Sequence, residues 1–257
     1  MNPQQKFLCF TQPFLKKNPV IFEVGSRDGD EAAYFATQFS SGKIFAFECN
    51  PLTLPLCYEK EKSYLNIKIV PFAVSDTEGK IPFYTTNNSG NPGSSSLFQM
   101  TGKYKPDLYK SQEIIEVSST TLSSFMEQQK IKSVDIIWMD LQGAELKALK
   151  GLSDRLDDVH FIFIEVEFFE IYSGQPLWKD IKKFLKKNSF IPVGFTDRSE
   201  HFGNAVFVNA QKMSWVNKLY FRFRGLRYFG IPFGKADVKR YLRRFKISKA
   251  LLVFLGK

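Results

Sequence analysis

The 257-residue sequence predicts an α/β fold of the doubly wound, Rossmann-like kind: a mostly parallel sheet with an antiparallel final hairpin, followed by a basic helical C-terminal tail. Three features point to it. The first is Val20–Val24, an apolar run that enters a turn holding Gly25 and Gly29 and is answered by a second apolar run, Lys43–Glu48, ending in an acid. This is the sequence form of a nucleotide-binding βαβ unit, whose exit turn needs glycine so that backbone can approach a ligand closely. The second is that several strands read as continuous apolar runs, as in a parallel sheet covered on both faces. The third is the late pair Phe190–Thr196 and Ala205–Asn209, joined by a polar loop, which reads as an antiparallel hairpin.

Strands and helices alternate between these markers. Further strands are expected at Ile67–Val74, Lys80–Thr85, Ile114–Ser118, Val134–Asp140 and Phe161–Glu167. Helices are expected at Glu31–Phe39, Leu52–Lys62, Thr121–Gln129, Ala144–Leu152 and Leu177–Lys187. In the last of these, Ile181, Phe184 and Leu185 follow i, i+3, i+4 spacing, while Lys182, Lys183, Lys186 and Lys187 cover the other face. The chain therefore divides into a lead over 1–19, a body over 20–211 and an extension over 212–257. Asn87–Ser96 is a run of turn formers, read either as a surface connection or as a segment that closes over a substrate.

Composition narrows the class. Three cysteines, Cys9, Cys49 and Cys57, show neither paired spacing nor a metal pattern, which argues for a reducing compartment and no disulfide scaffold. The first twenty residues carry no apolar signal core, and no apolar run approaches a membrane span, so a cytoplasmic protein is expected. The net charge of +10 is unevenly placed. Residues 212–257 hold 13 Lys and Arg against one acid, Asp237, and the rest of the chain holds 23 against 25.

The glycine turn also says which ligand suits it. A dinucleotide fingerprint has glycines at G-x-G-x-x-G, with a helix N-terminus aimed at pyrophosphate. Here the spacing is Glu23-x-Gly25-x-x-x-Gly29, with Asp28 inside the loop. An acid there would repel a pyrophosphate and suits a cationic ligand, such as the sulfonium and amino group of S-adenosylmethionine. A dinucleotide site and an ordinary strand-to-helix turn remain the alternatives. Glu48, at the tip of the second strand, can accept ribose hydroxyls. The run Val70–Asp76 ends a third strand, where adenine could lie against Phe72 and Ala73 with Asp76 or a backbone amide at its edge. Ligands of open α/β sheets sit beyond the carboxyl ends of the strands. Glu23, Glu48, Asp76 and Asp140 all fall there, and Glu165 and Glu167 can join them. Each alone could be a solvated strand end or a helix cap; together they predict a cleft.

Taken as a set, these segments resemble the FkbM family of S-adenosylmethionine-dependent methyltransferases. The residues that carry the resemblance are Glu23–Gly29, Phe47–Pro51, Ala73–Asp76, Ser94–Leu97, Asp135–Glu145 with Leu149 and Gly151, Glu165–Phe168, Tyr172–Trp178 and Ala205–Val208. They run in order over roughly residues 20–209. The resemblance implies a class I methyltransferase fold, with Glu23, Gly25, Ser26, Arg27, Asp28 and Gly29 around the methionine end of the donor and Glu48, Cys49 and Asn50 around its ribose. It places Ala73, Val74, Ser75 and Asp76 at the adenine, and Asp140 with Gln142 near the transferring methyl. The family often has Glu where this chain has Gln142, which removes one candidate base. The implied reaction is O-methylation of a sugar or a related hydroxylated metabolite.

Methyl transfer from a sulfonium is an in-line displacement, so the protein supplies position and electrostatics. A base that takes the hydroxyl proton would add a further factor. Asp140 is the first candidate, with Glu145, Glu165 and His201 behind it, and no His/Asp spacing suggests a metal. In the tail, Trp215, Leu219, Phe223 and Leu226 form one helical stripe, and Val238, Leu242 and Phe245 form a second among arginines. Basic amphipathic helices of this kind dock on the body or lie on anionic membrane surfaces. A nucleic-acid grip is the less favoured reading. The expected partner is thus a hydroxylated small molecule or glycan, with peripheral membrane contact through residues 212–257. Rival functions are a ribose methyltransferase acting on RNA, which would use the tail, and a noncatalytic module that keeps the fold.

Overall fold

The computed structural model describes residues 1–86, 91–104, 112–214, 216–218 and 220–221. Its main sheet contains β1 (Val20–Val24), β2 (Lys43–Phe47), β3 (Ile67–Val70), β7 (Val134–Met139), β8 (Val159–Glu167), β9 (Phe190–Arg198) and β10 (Phe202–Asn209). They lie in the order β3-β2-β1-β7-β8-β10-β9. The first five of these are mutually parallel, and β10 runs antiparallel to both β8 and β9. The doubly wound class with an antiparallel final hairpin is therefore the observed fold.

Helices α1 (Pro3–Thr11), α2 (Asp30–Gln38), α3 (Leu54–Ser63), α4 (Leu122–Gln128), α5 (Glu145–Lys150) and α6 (Trp178–Lys187) cover the sheet. Alternation along each strand divides the apolar residues between its two faces. Ile21, Ile136, Trp138, Phe161 and Phe163 pack under α1 and α2, where the Trp138 and Phe163 rings stack at 3.4 Å. Phe22, Ile137, Met139, Ile162 and Ile164 pack on the other face with α4, α5 and α6. In α6, Ile181 and Leu185 are buried, as the spacing predicted.

Three differences from the expected elements have physical causes. The strand expected over Ile67–Val74 is broken: Pro71 has no N–H to give a ladder, and Ala73–Val74 (β4) leaves the main sheet. β4 pairs instead with β6 (Gln112–Thr120), which is also antiparallel to β5 (Gly79–Thr86), making a separate three-stranded sheet. The N-terminal lead contains α1, started by a capping box in which Asn2 and Gln5 satisfy each other's backbone N–H. Phe7 and Phe10 of α1 are fully buried in the core, and so is Phe221 at the other end of the described chain, 4.6 Å from Phe10.

Trp215, Leu219, Phe223 and Leu226, the second segment with Val238, Leu242 and Phe245, and residues 87–90 of the turn-rich loop lie outside the described residues. Within that loop, Pro92–Ser94 forms a 3-10 turn. Among the described residues, no helix is long and apolar enough to cross a membrane.

Candidate active site

The carboxyl ends of β1 and β7 meet so closely that only glycine fits between them. Gly25 has φ +88°, and a Cβ on it would run into the carbonyl oxygen of Asp140. Asp140 N–H donates to Val24 O at 3.0 Å, and Gly25 and Ser26 N–H both donate to Phe47 O at 3.0 and 2.9 Å. The β1 turn is thereby fixed to β2 on one side and β7 on the other. Gly29, with φ +76°, opens α2 against Lys60 and Cys57 of α3. Beyond these turns lies a cavity of about 320 Å³. That is room for a small-molecule ligand.

Glu23 is buried on the cavity wall. Its Oε2 accepts from Ser26 Oγ at 2.6 Å, while Oε1 has no partner. Burial, with the nearby charge of Glu31, holds its carboxyl well above the usual carboxylate range. An orphaned acceptor of this kind fits a cationic donor group. Glu48 is aimed by backbone: Oε1 accepts from Cys49 N–H (2.8 Å) and Asn50 N–H (2.7 Å), and Oε2 from Arg27 N–H (2.7 Å). Burial raises its carboxyl above its ordinary value although these bonds oppose the rise. Oε2, with one N–H, keeps acceptor capacity toward the cavity. Cys49, Asn50, Phe72, Ala73 and Val74 line the same end.

The β7 turn is shaped by two residues with positive φ, Gln142 (52°) and Gly143 (98°). The buried Glu145 carboxylate holds the turn from beneath, accepting from Leu141 N–H at 2.7 Å and Gly143 N–H at 3.3 Å. Burial and the neighbouring Asp140 push its carboxyl up to about 7. Asp140 lines the cavity, and its Oδ1 accepts from Gln142 Nε2 at 2.7 Å. Gln142 Oε1 in turn accepts from the buried Tyr172 phenol at 2.7 Å. On β8, Glu165 and Glu167 are two apart and face the cavity together. Burial, then Asp140 and Glu167, push the Glu165 carboxyl up to about 11. Burial, with Glu145 and Asp140, raises Glu167 likewise.

The structure thus brings Glu23, Gly25, Ser26, Arg27, Glu48, Cys49, Asn50, Ala73, Val74, Asp140, Gln142 and Glu165 onto one cavity. Asp28, Gly29, Ser75, Asp76, Glu145 and His201 lie outside its lining. Asp28 pairs with the Arg27 guanidinium at 2.6 Å. Asp76 turns to Lys147 at 3.3 Å and is held below its ordinary value by it, against the effect of burial. His201 packs against the rings of Phe169 (4.7 Å) and Tyr104 (5.2 Å).

Sequence reasoning left the far wall unassigned. Two loops build it by pairing backbone: Thr101 N–H donates to Ile171 O (2.8 Å) and Ser173 N–H to Gln99 O (2.7 Å). The segment from Asn91 is tied down by Ser96 Oγ on Gln142 O (2.8 Å) and by Asn50 Nδ2 on Ser95 Oγ (3.2 Å). This wall adds Tyr104 and Tyr172, and the start of β10 adds Phe202. The sequence held a signal for part of it, since Ser94–Leu97 and Tyr172–Trp178 belong to the matching segments.

A cavity of buried acids with an orphaned carboxylate oxygen, a backbone-aimed carboxylate over an apolar slot and a tethered Asp140 has the donor set for a cationic nucleoside and a proton acceptor beside it. Comparison with known proteins gives the family. The Methyltransferase FkbM domain matches residues 23–192. The 2-O-methyltransferase NoeI of Sinorhizobium fredii is 30% identical over 165 residues, covering 62% of this chain and 68% of its own. The hexuronic acid methyltransferase AglP of Haloferax volcanii is 25% identical over 184 residues, covering 68% and 70%. A solved rRNA methylase from Streptococcus thermophilus aligns over 81% of this chain and 97% of its own at 8% identity, with a TM-score of 0.48. With its matched segment spanning the glycine turn, both acidic strand ends and the first residues of β9, the chain belongs to the FkbM methyltransferase family.

Proposed function

We propose that this chain is an S-adenosylmethionine-dependent O-methyltransferase whose acceptor is a sugar hydroxyl on a glycan or a related metabolite. The observation that carries the reading is the position of Asp140. Its carboxylate lines the cavity between the glycine turn of β1 and Glu165 of β8 and is tethered by Gln142. The names of the two relatives, a 2-O-methyltransferase and a hexuronic acid methyltransferase, support a sugar acceptor.

When bound, the donor supplies an electrophilic methyl group on a sulfonium. Glu23, beside the tight turn at Gly25, would hold the ammonium of its amino-acid end, Glu48 Oε2 a ribose hydroxyl, and Phe72, Ala73 and Val74 the adenine. Asp140 would accept the acceptor's hydroxyl proton at a carboxylate oxygen, a role worth about 10²–10⁴-fold in rate. Glu165, held neutral by its surroundings, can donate a hydrogen bond rather than add charge. The paired loops over residues 99–101 and 171–173 would wall the far side of the site, and any water they exclude would strengthen the charge interactions inside it.

Asp140→Asn tests the reading. Turnover of S-adenosylmethionine on a glycan acceptor should be lost while S-adenosylhomocysteine still binds by calorimetry; rates like the parent's would remove Asp140 as the base. The charge of residues 212–257 supports a second reading, that this extension brings the enzyme to an anionic membrane surface. Because Met213 and Phe221 belong to the core, the truncation that tests it removes 222–257. Full-length protein should sediment with anionic vesicles and the truncated protein should not.

A further inference from the structure

The order of strands divides the cavity into two halves. β3, β2 and β1 carry the residues suited to a nucleoside, whereas β7, β8 and β10 carry Asp140, Glu165, Glu167 and Phe202. Asp140 sits where the halves meet. On the second half, Phe202 pairs directly with Glu167 across the β8–β10 ladder, so the ring and the carboxyl share one face. Tyr104 lines the cavity beside them. Its ring is set by edge contacts from His201 at 5.2 Å and Phe169 at 6.1 Å, with interplanar angles of 74° and 66°. Both rings are half-buried, and neither Tyr104 nor Phe202 takes part in any step described above.

Aromatic faces beside paired carboxyls make a surface of two characters. The apolar C–H face of a pyranose suits the negative face of an aromatic ring, and its hydroxyls suit carboxyls that can both donate and accept. Charge selects further. Among the described cavity-lining residues the only cationic side chain is Arg27, on the nucleoside half and already paired with Asp28. A carboxylate on the sugar would be buried beside Asp140, the proposed base, with no counter-ion among the described lining residues, an arrangement that low-dielectric surroundings penalise.

We propose that Tyr104, Phe202, Glu165 and Glu167 form a subsite for one neutral sugar ring, which rests on the two aromatic faces with its hydroxyls on the two carboxyls and presents the reacting hydroxyl to Asp140. The subsite rests on the methyltransferase reading and sharpens it: the ring beside Asp140 is uncharged, in contrast to the substrate in the name of the hexuronic acid relative. His201 acquires a place here as a support for the Tyr104 ring, not as a base.

The test is saturation-transfer NMR on the full chain with methyl glucoside, methyl galactoside, methyl mannoside and methyl glucuronide, each with and without S-adenosylhomocysteine. At least one neutral glycoside should receive saturation on its ring protons and bind about tenfold or more tightly than the glucuronide. That signal should fall by about tenfold in Tyr104→Ala and in Phe202→Leu, with S-adenosylhomocysteine affinity unchanged in both. Glu165→Gln keeps the shape and should weaken the glycoside less than Tyr104→Ala does. Transfer to none of the neutral glycosides, equal or tighter binding of the glucuronide, or signals that survive both aromatic substitutions would overturn the subsite. S-adenosylhomocysteine that fails to bind the parent protein would instead strike the methyltransferase reading, so the two failures are separable.

Discussion

The Tyr172 phenol donates to Gln142 Oε1 at 2.7 Å, and the same amide donates through Nε2 to Asp140 Oδ1 at 2.7 Å. The order of donors is forced. A carboxylate that is to take a proton as the proposed base only accepts, so the amide must turn its nitrogen to Asp140 and its oxygen to the phenol. Gln142 is thus a positioning residue, and Tyr172 fixes its flip from a buried site under the far wall. Tyr172→Phe should lower kcat by about 10–100-fold, part of what a placed base contributes. KM for the donor and affinity for S-adenosylhomocysteine should stay near parental values. Gln142→Leu should cost at least as much, whereas Gln142→Glu, whose protonated form can still donate, should retain more activity than Gln142→Leu. Steady-state kinetics beside calorimetry checks this, and equal loss of kcat and donor affinity would show a structural role instead.

Glu48 serves the ligand and the fold together. Its carboxylate satisfies the N–H groups of Arg27, Cys49 and Asn50, so Glu48→Ala leaves three backbone donors without their partner. Glu48→Gln keeps one acceptor oxygen. Hydrogen bonds to charged groups are worth about 1.5–3 kcal/mol. Donor affinity should therefore fall by about 10-fold or more in both variants, while the melting temperature should fall clearly further in Glu48→Ala than in Glu48→Gln. Calorimetric titration with S-adenosylhomocysteine and thermal unfolding separate the two effects.

The donor half of this site was legible because it is written locally: Glu23, Gly25 and Glu48 stand at the ends of two consecutive strands, and turn geometry demands the glycine. The acceptor half was not, because it depends on contacts between distant segments. Tyr172 reaches Gln142 only after residues 99–101 pair with 171–173, a meeting of loops about 70 positions apart that no periodicity encodes. The strand expected over Ile67–Val74 ran through Pro71, and only the ladder between Ala73–Val74 and Ser119–Thr120 shows that the chain changes sheets there. Helix α1 was missed in the lead, although its capping box of Asn2 and Gln5 is local and stands ahead of the three apolar residues Phe7, Leu8 and Phe10 that it buries.

Gly25 offers a sharp test of the wall between β1 and β7. Its φ of +88° disfavours any side chain, and a Cβ would occupy the space of the Asp140 carbonyl. Both strands are central to the sheet, so neither can move aside without disturbing its neighbours. Gly25→Ala should destabilise the protein by more than about 3 kcal/mol, in the range reserved for core clashes and forced backbone. Gly174→Ala is the control. It also has positive φ (+73°), but nothing lies within 4 Å of its would-be Cβ, so only the backbone term applies. Its cost should be about 1 kcal/mol, and chemical denaturation of the two variants gives the comparison. Equal costs would mean that the carbonyl yields.

The raised carboxyls predict that donor binding expels protons. Burial holds Glu23, Glu48, Glu145, Glu165 and Glu167 above the ordinary carboxylate value of 4.5, with Glu145 near 7 and Glu165 near 11. Between the unfolded and folded values the native state binds more protons than the unfolded chain, so these groups make stability fall as pH rises. For Glu145 that window runs from 4.5 to about 7, and for Glu165 it continues toward 11. A cationic donor beside Glu23 favours the ionised form and reverses part of this. Affinity for S-adenosylmethionine should then rise from pH 5 to pH 8 with net proton release. S-adenosylhomocysteine, which lacks the sulfonium charge, should release fewer protons. Calorimetry in buffers of different ionisation enthalpy reads the number directly, and Glu23→Gln should reduce it. Release that is identical for the two ligands would mean that the sulfonium lies away from these acids.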